Sequence, residues 1–230
     1  TFKTSYVFNL IVTSGTGTTL TGTLTFTNGD STVTGSGTLF TSELGEGYVL
    51  RSAGSKIVYV RSITNDTSLE LNRAFEYATE TGVSATGYVG NNRVRVINCD
   101  FQGSLTTDNV GLGVLINGLI QGNTSTGSGG GYGFGPDHCL YTKFIGNSSY
   151  ANDNDGIGME PCSYCIVIGN HCNDSVSGNG IRMLSGSYRN LIAKNICRGN
   201  VNGINAAYNS ASFGVPSENT IVGNSCEGNT

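Results

Sequence analysis

Apolar and polar positions recur along most of this chain in one short phrase rather than at helical spacing. The segments LIQGNTS, FIGNSS, IVIGNHC, LIAKNIC and TIVGNSC each set an apolar residue three positions before an asparagine and a small residue two positions after it. The asparagines Asn123, Asn147, Asn170, Asn195 and Asn224 lie 24, 23, 25 and 29 residues apart. Their apolar partners are Ile120, Phe144, Val167, Ile192 and Ile221; the small residues are Ser125, Ser149, Cys172, Cys197 and Cys226. A period of roughly 20–50 residues is too short for a domain and marks a solenoid of stacked coils. A second row keeps step, in Gly111-Leu-Gly-Val, Gly131-Tyr-Gly-Phe, Gly156-Ile-Gly-Met, Gly180-Ile-Arg-Met and Gly203-Ile-Asn-Ala. Two β-type phrases per coil with no helical segment between them predict an all-β parallel β-helix.

The rows also predict what lies inside. Val7, Val96, Ile120, Phe144, Val167, Ile192 and Ile221 are expected on one side of the core, and Leu112, Tyr132, Ile157, Ile181 and Ile204 on another. Asparagine tolerates left-handed turns, and stacked side-chain amides bond to one another along an axis. The five asparagines are therefore read as structural. Upstream, Val96, Cys99 and Phe101 fit the same phrase, and Val7, Leu10 and Val12 fit it again. Leu10 and Cys99 are 89 residues apart, one coil plus a surplus. The surplus alternates as strands do in Thr23-Leu-Thr-Phe26, Lys56-Ile-Val-Tyr-Val60 and Ser68-Leu-Glu-Leu71. Asn28-Gly29, Ala53-Gly54 and Asn65-Asp66 split those runs as hairpin turns do. Residues 1–21 are thus expected to form a first coil, 22–88 an inserted small antiparallel β-barrel or sandwich, and 89–230 the rest of the helix. The barrel as a purely N-terminal domain, with residues 1–20 outside the coils, is the other topology open at this point.

Composition narrows the function classes. Thirty-five Gly, three Pro, no Trp and 12% charged residues among 230 suit short strands joined by tight turns. Twelve basic against 16 acidic residues leave no basic face for nucleic acid. No apolar run is long enough to predict membrane insertion, and no signal peptide is visible. The chain opens on Thr1 and stops just after a repeat phrase, so a longer parent chain, or cover from other subunits, is expected over the open ends. Cys172, Cys197 and Cys226 share one repeat position and are read as small buried hydrophobes. Cys162 and Cys165, with His138-Cys139 and His171-Cys172, repeat at the coil spacing that the fold itself supplies. No metal and no cofactor is expected.

The G-N-x-x-x-x-N-x-x-G-I phrasing from Gly169 to Ile181, Lys194 to Ile204 and Gly223 onward resembles the right-handed parallel β-helix repeat of pectate-lyase-like proteins. That superfamily includes polysaccharide lyases and hydrolases and the tailspikes of bacteriophages. The stretch of residues 22–71 resembles small β-modules of phage tail and fibre proteins. Together these resemblances imply a right-handed helix in a virion protein, a homotrimer that binds bacterial surface polysaccharide and other virion proteins. A polysaccharide-degrading enzyme, of a phage or secreted by a bacterium, is the alternative, and a structural spacer of the virion a third.

Cleavage would need two carboxylates flanking the bond. The acids of the coils are Asp100, Asp108, Asp137, Asp153, Asp155, Glu160, Asp174, Glu218 and Glu227. Asp137 and Glu160 each lie in the loop after a glycine phrase, one coil apart, with His138 beside them, and are the candidate catalytic group. Asp155 precedes Gly156 as Asn179 precedes Gly180, which makes it a turn residue and a reserve candidate. Tyr141, Tyr164, Tyr188, Tyr208 and Phe213 fall at loops or strand edges of neighbouring coils and are candidates for stacking on sugars.

Overall fold

The structure, a computed structural model, describes residues 10–12, 17–53, 56–184, 186–208 and 215–230. The described chain forms two units, one of residues 10–12, 91–208 and 215–230, the other of residues 17–90. Val7 and Phe213 lie outside the described residues.

The first unit is a parallel β-helix with three six-stranded sheets. The first sheet stacks Leu10–Val12, Val110–Gly113, Phe134–Asp137, Ile157–Met159, Asn179–Met183 and Asn202–Ala206. The second stacks Arg95–Ile97, Leu119–Gln121, Lys143–Ile145, Ile166–Ile168, Leu191–Ala193 and Thr220–Val222. The third stacks Asp100–Gln102, Thr124–Thr126, Ser148–Tyr150, His171–Asn173, Ile196–Arg198 and Ser225–Glu227. Alternate residues of each short strand point inward. Val96, Ile120, Phe144, Val167 and Ile192 meet Phe101, Cys172 and Cys197 from the third sheet and Val110, Phe134, Ile157 and Ile181 from the first in one buried core. Each coil covers its apolar residues only against the coils beside it.

The phrase around each asparagine builds the corner between the second and third sheets. Asn98, Gly122, Gly146, Gly169, Lys194 and Gly223 all have φ between 54° and 66° there, so one left-handed residue turns the chain. A Cβ on Gly146 would meet nothing within 4 Å, so only its conformation opposes a side chain. Gly146→Ala should therefore cost about 1 kcal/mol in a urea titration, and an unchanged midpoint would show that the corner tolerates Ala as it does Lys194.

The asparagine that follows the left-handed residue on every coil but that of Asn98 carries the predicted ladder. Asn147 Oδ1 accepts from the backbone N–H and from Nδ2 of Asn123, both at 3.0 Å. Asn147 Nδ2 donates to Ile120 O and to Asn170 Oδ1, both at 2.9 Å. The pattern repeats through Asn195 to Asn224. Two further corners use the same device late in the chain, in Asn190 with Asn219 and in Asn200 with Asn229. Asparagine every fifth residue, at 190, 195 and 200 and again at 219, 224 and 229, is thus one amide per corner of a coil.

Two expected registers are corrected. Leu10–Val12 pairs with Val110–Leu112 in the first sheet, not with the row of Val96 and Phe101. Both rows offer the same apolar-x-apolar signature, so a three-residue strand fits either. In the glycine row Phe134, not Tyr132, is the inward partner of Val110 and Ile157. The row therefore runs Asn109, Gly133, Gly156, Gly180 and Gly203, and Tyr132 stands outside the core.

The second unit is one eight-stranded antiparallel sheet around its own core of Leu24, Phe26, Phe40, Leu50, Leu69 and Phe75. Thr23–Phe26 pairs with Thr32–Ser36 across the Asn28-Gly29 turn, and Ile57–Asn65 with Ser68–Leu71 across Asn65-Asp66. Asn65 Oδ1 closes that turn by accepting from Thr67 N at 2.8 Å. Glu80–Val83 at one edge of the sheet runs through Ser84 into Ala85–Tyr88 near the other, which curls it into a small barrel. The unit lies in sequence between the first and second strands of the helix's first sheet, the inserted module that the alternating stretch predicts. Among the described residues no helix is long and apolar enough to cross a membrane.

Candidate functional site

Outward-facing positions of the first sheet carry a cluster of larger side chains laid over small ones. The column next to the inward Val110, Phe134 and Ile157 runs Gly111, Gly135, Gly158, Arg182 and Asn205. Three successive coils therefore present bare backbone, and larger groups from the adjoining turns lie down on it. The Tyr132 ring lies over Gly158, where an added Cβ would come within 2.8 Å of it. Asp108 lies over Gly135, where a Cβ would collide with its carboxylate. Small residues here are the condition for the site.

Asp137, the last residue of Phe134–Asp137, and Glu160, next after Ile157–Met159, form a parallel bridge with one another. In-register neighbours in a parallel ladder are about 4.8 Å apart. With Asp108, Tyr132 and Pro136 they line an open groove of about 450 Å³, whose rim includes Thr106, Thr107 and Asn154. Asp108 Oδ1 accepts from Tyr132 N at 2.8 Å. Burial nevertheless pushes its carboxyl above the usual range, and the charges of Glu160 and Asp137 push the same way. Tyr132 donates its hydroxyl to Glu160 Oε1 at 2.8 Å and accepts from Arg182 Nη2 at 2.7 Å. The Arg182 guanidinium also lies 5.4 Å from the Tyr132 ring centroid. Burial and the neighbouring Glu160 drive the Tyr132 hydroxyl upward, so it stays protonated and a donor.

His138 turns the chain at φ 53° and pairs through Nδ1 with Asp137 Oδ1. It is not among the residues lining the groove. Asp155 has no exposed surface. Its Oδ2 meets Arg182 Nε at 2.6 Å, and its Oδ1 accepts from Asn179 N at 2.8 Å and Nδ2 at 2.7 Å. Burial raises its carboxyl, and the Asn179 donors and Arg182 pull it back. This places Asp155 in the scaffold beneath Arg182 rather than against solvent.

The tyrosines stand at the next corner. Asn117, Tyr141, Tyr164, Arg189 and Glu218 occupy it on successive coils, all with φ between 51° and 55°. The Tyr141 and Tyr164 rings are 5.2 Å apart and tilted, and Tyr164 meets Tyr188 edge-on at 5.8 Å. Tyr141 is 44% exposed, whereas Tyr188 is 5% exposed, donates to Glu218 Oε1 and is covered by Arg189 at 4.9 Å. Tyr208 is 57% exposed beyond the end of the Asn202–Ala206 strand.

No protein-family model and no curated protein matches the sequence. Solved structures do match. The Gp54 tailspike of Acinetobacter baumannii bacteriophage AP22, solved in complex with A. baumannii capsular saccharide, aligns over 83% of this chain and 40% of that chain. The identity is 12% and the TM-score 0.51. The fold is a tailspike-type parallel β-helix. The tailspike gp49 of Pseudomonas phage LKA1 aligns over 84% of this chain and 46% of that one, at 11% identity and TM-score 0.45. The tailspike gp61 of Pseudomonas phage phi297 aligns over 80% and 35%, at 15% identity and TM-score 0.43. This chain spans less than half the length of each of these tailspikes.

Within the tailspike-type helix, Tyr132, Asp108 and Arg182 were not singled out by sequence reasoning. The signal that could have found them is the run of outward glycines ending in an arginine. The seven cysteines are all free thiols. Cys162 is buried and its thiol is driven well above the ordinary value by desolvation, which makes it inert packing. Among the described residues no group of three or more His, Cys, Asp or Glu is arranged to hold a metal.

Proposed function

We propose that this chain is the polysaccharide-binding β-helix of a phage tailspike or tail fibre, displayed on the virion as a homotrimer. The observation that carries the reading is the open groove, where acids from three successive coils and the Tyr132 ring converge. A rigid solenoid flank suits an extended polymer, and an aromatic face beside carboxylates that accept sugar hydroxyls suits a glycan. The fold shared with a tailspike solved with capsular saccharide supports the same reading. Titrating the purified protein with capsular and lipopolysaccharide preparations tests it. A monomer with no affinity for any surface glycan would overturn it.

A second reading, cleavage of the bound polymer, is favoured by the in-register Asp137 and Glu160. In that case these two acids flank the scissile bond, and Asp108, whose carboxyl burial pushes upward, stands in the same groove. Replacing the pair as Asp137→Asn and Glu160→Gln should abolish release of reducing ends, at least about 100-fold, while binding persists. Cleavage that survives both changes would move the chemistry elsewhere.

A further inference from the structure

We infer that the groove accepts a non-anionic stretch of polysaccharide, uncharged or aminated sugars with no uronate, sialate or phosphate opposite Asp108, Asp137 and Glu160. This rests on the reading of the chain as a polysaccharide binder and names the class of polymer.

Charge carries the argument. Among the described residues the groove is lined by three carboxylates and by no lysine or arginine. The guanidinium on this face, Arg182, is already committed: its Nε meets Asp155 Oδ2 and its Nη2 the Tyr132 hydroxyl, and it stacks on that ring. It is thereby tied to the buried Asp155 and cannot swing out to a sugar carboxylate without stranding that acid. His138 is likewise turned to Asp137. The polar lining is otherwise hydroxyls, an amide and backbone, which bond to sugar hydroxyls and N-acetyl groups without regard to charge.

Clefts lined by one sign of charge concentrate their field toward the occupant. A carboxylate about 4 Å from another loses roughly fivefold in affinity even at the dielectric of bulk water, and more in a groove with protein walls. A sugar amine gains by the same rule. The chemistry agrees with the binding. Hydrolysis of an uncharged sugar needs a proton donor and a carboxylate, and adds water across the bond, with hydrogen to the leaving oxygen and hydroxyl to the anomeric carbon.

An array of purified bacterial capsular and O-antigen polysaccharides, sorted by whether the repeat unit contains uronate, sialate or phosphate, tests this directly. It is probed with the full chain and with the Asp108→Asn, Asp137→Asn, Glu160→Gln variant, with and without added calcium. Binding confined to the non-anionic polymers supports the inference. The charge-neutralised variant should then bind aminated polymers at least fivefold more weakly, a loss larger than the one it shows on uncharged polymers. An anionic polymer bound by the parent, in either buffer, and weakened tenfold by Tyr132→Ala would place an anion in this groove and overturn it. An anionic polymer whose binding ignores Tyr132→Ala would locate anion recognition elsewhere and leave the groove's polymers non-anionic, in support. No binding to any polymer would overturn the polysaccharide reading itself, and this inference with it.

Discussion

Replacing Asn147 with Ala should cost about 3–5 kcal/mol, the largest loss expected from any single truncation in the helix. The Asn147 side chain is 1% exposed and makes four hydrogen bonds, two accepted from Asn123 and two donated to Ile120 O and Asn170. Alanine leaves those partners buried, and each orphaned polar group costs about 1–3 kcal/mol, with some relaxation between them. Asn147→Asp keeps both acceptors and removes both donors, so it should fall between the two. A urea titration monitored by circular dichroism reads the difference. A loss below about 1 kcal/mol would mean that water enters the corner and that the ladder is geometry without energy.

Ile192→Ala should cost about 2–5 kcal/mol, through lost burial and the cavity left between coils. Ile192 is fully buried and pairs in register with Val167 and Ile221. The same truncation at Ile221, 49% exposed on the outermost coil, should cost less than half as much. The contrast isolates stacking from side-chain identity, because both residues hold one position of the same phrase. Equal losses at the two sites would show that burial by the neighbouring coil is not what stabilises the row.

The asparagine corner was legible because one residue type stands at one spacing and its neighbours on both sides are constrained too. Val96 and Phe101 were placed correctly on the same ground. The glycine row was only half legible. Glycine appears both at the turn that enters the first sheet and on that sheet's outer face, so the sequence Gly131-Tyr-Gly-Phe aligns equally well one dipeptide off. That slip put Tyr132 inside and hid its partners. A shift of two keeps the alternation intact, which is why the pattern itself gave no warning. Asp137 and Glu160 were singled out because each lies just past a glycine phrase, one coil apart. Asp108 was not, because it reaches the groove from a turn and depends on Gly135 having no side chain.

The amide ladders are polar: each side-chain oxygen accepts from the coil before it, while Nδ2 donates both back to a carbonyl and forward to the next asparagine. Each asparagine reaches back, donating to the carbonyl of the coil before it and accepting that coil's backbone N–H, as Asn147 does for Asn123 across 24 residues. A coil is therefore finished by the one synthesised after it. On the ribosome, order should advance along this chain with a lag of one repeat, each new turn satisfying its predecessor while its own amides wait. Removing the coil that carries Asn147 leaves the Asn123 N–H and amide without their acceptor, and the same holds at each step along the ladder.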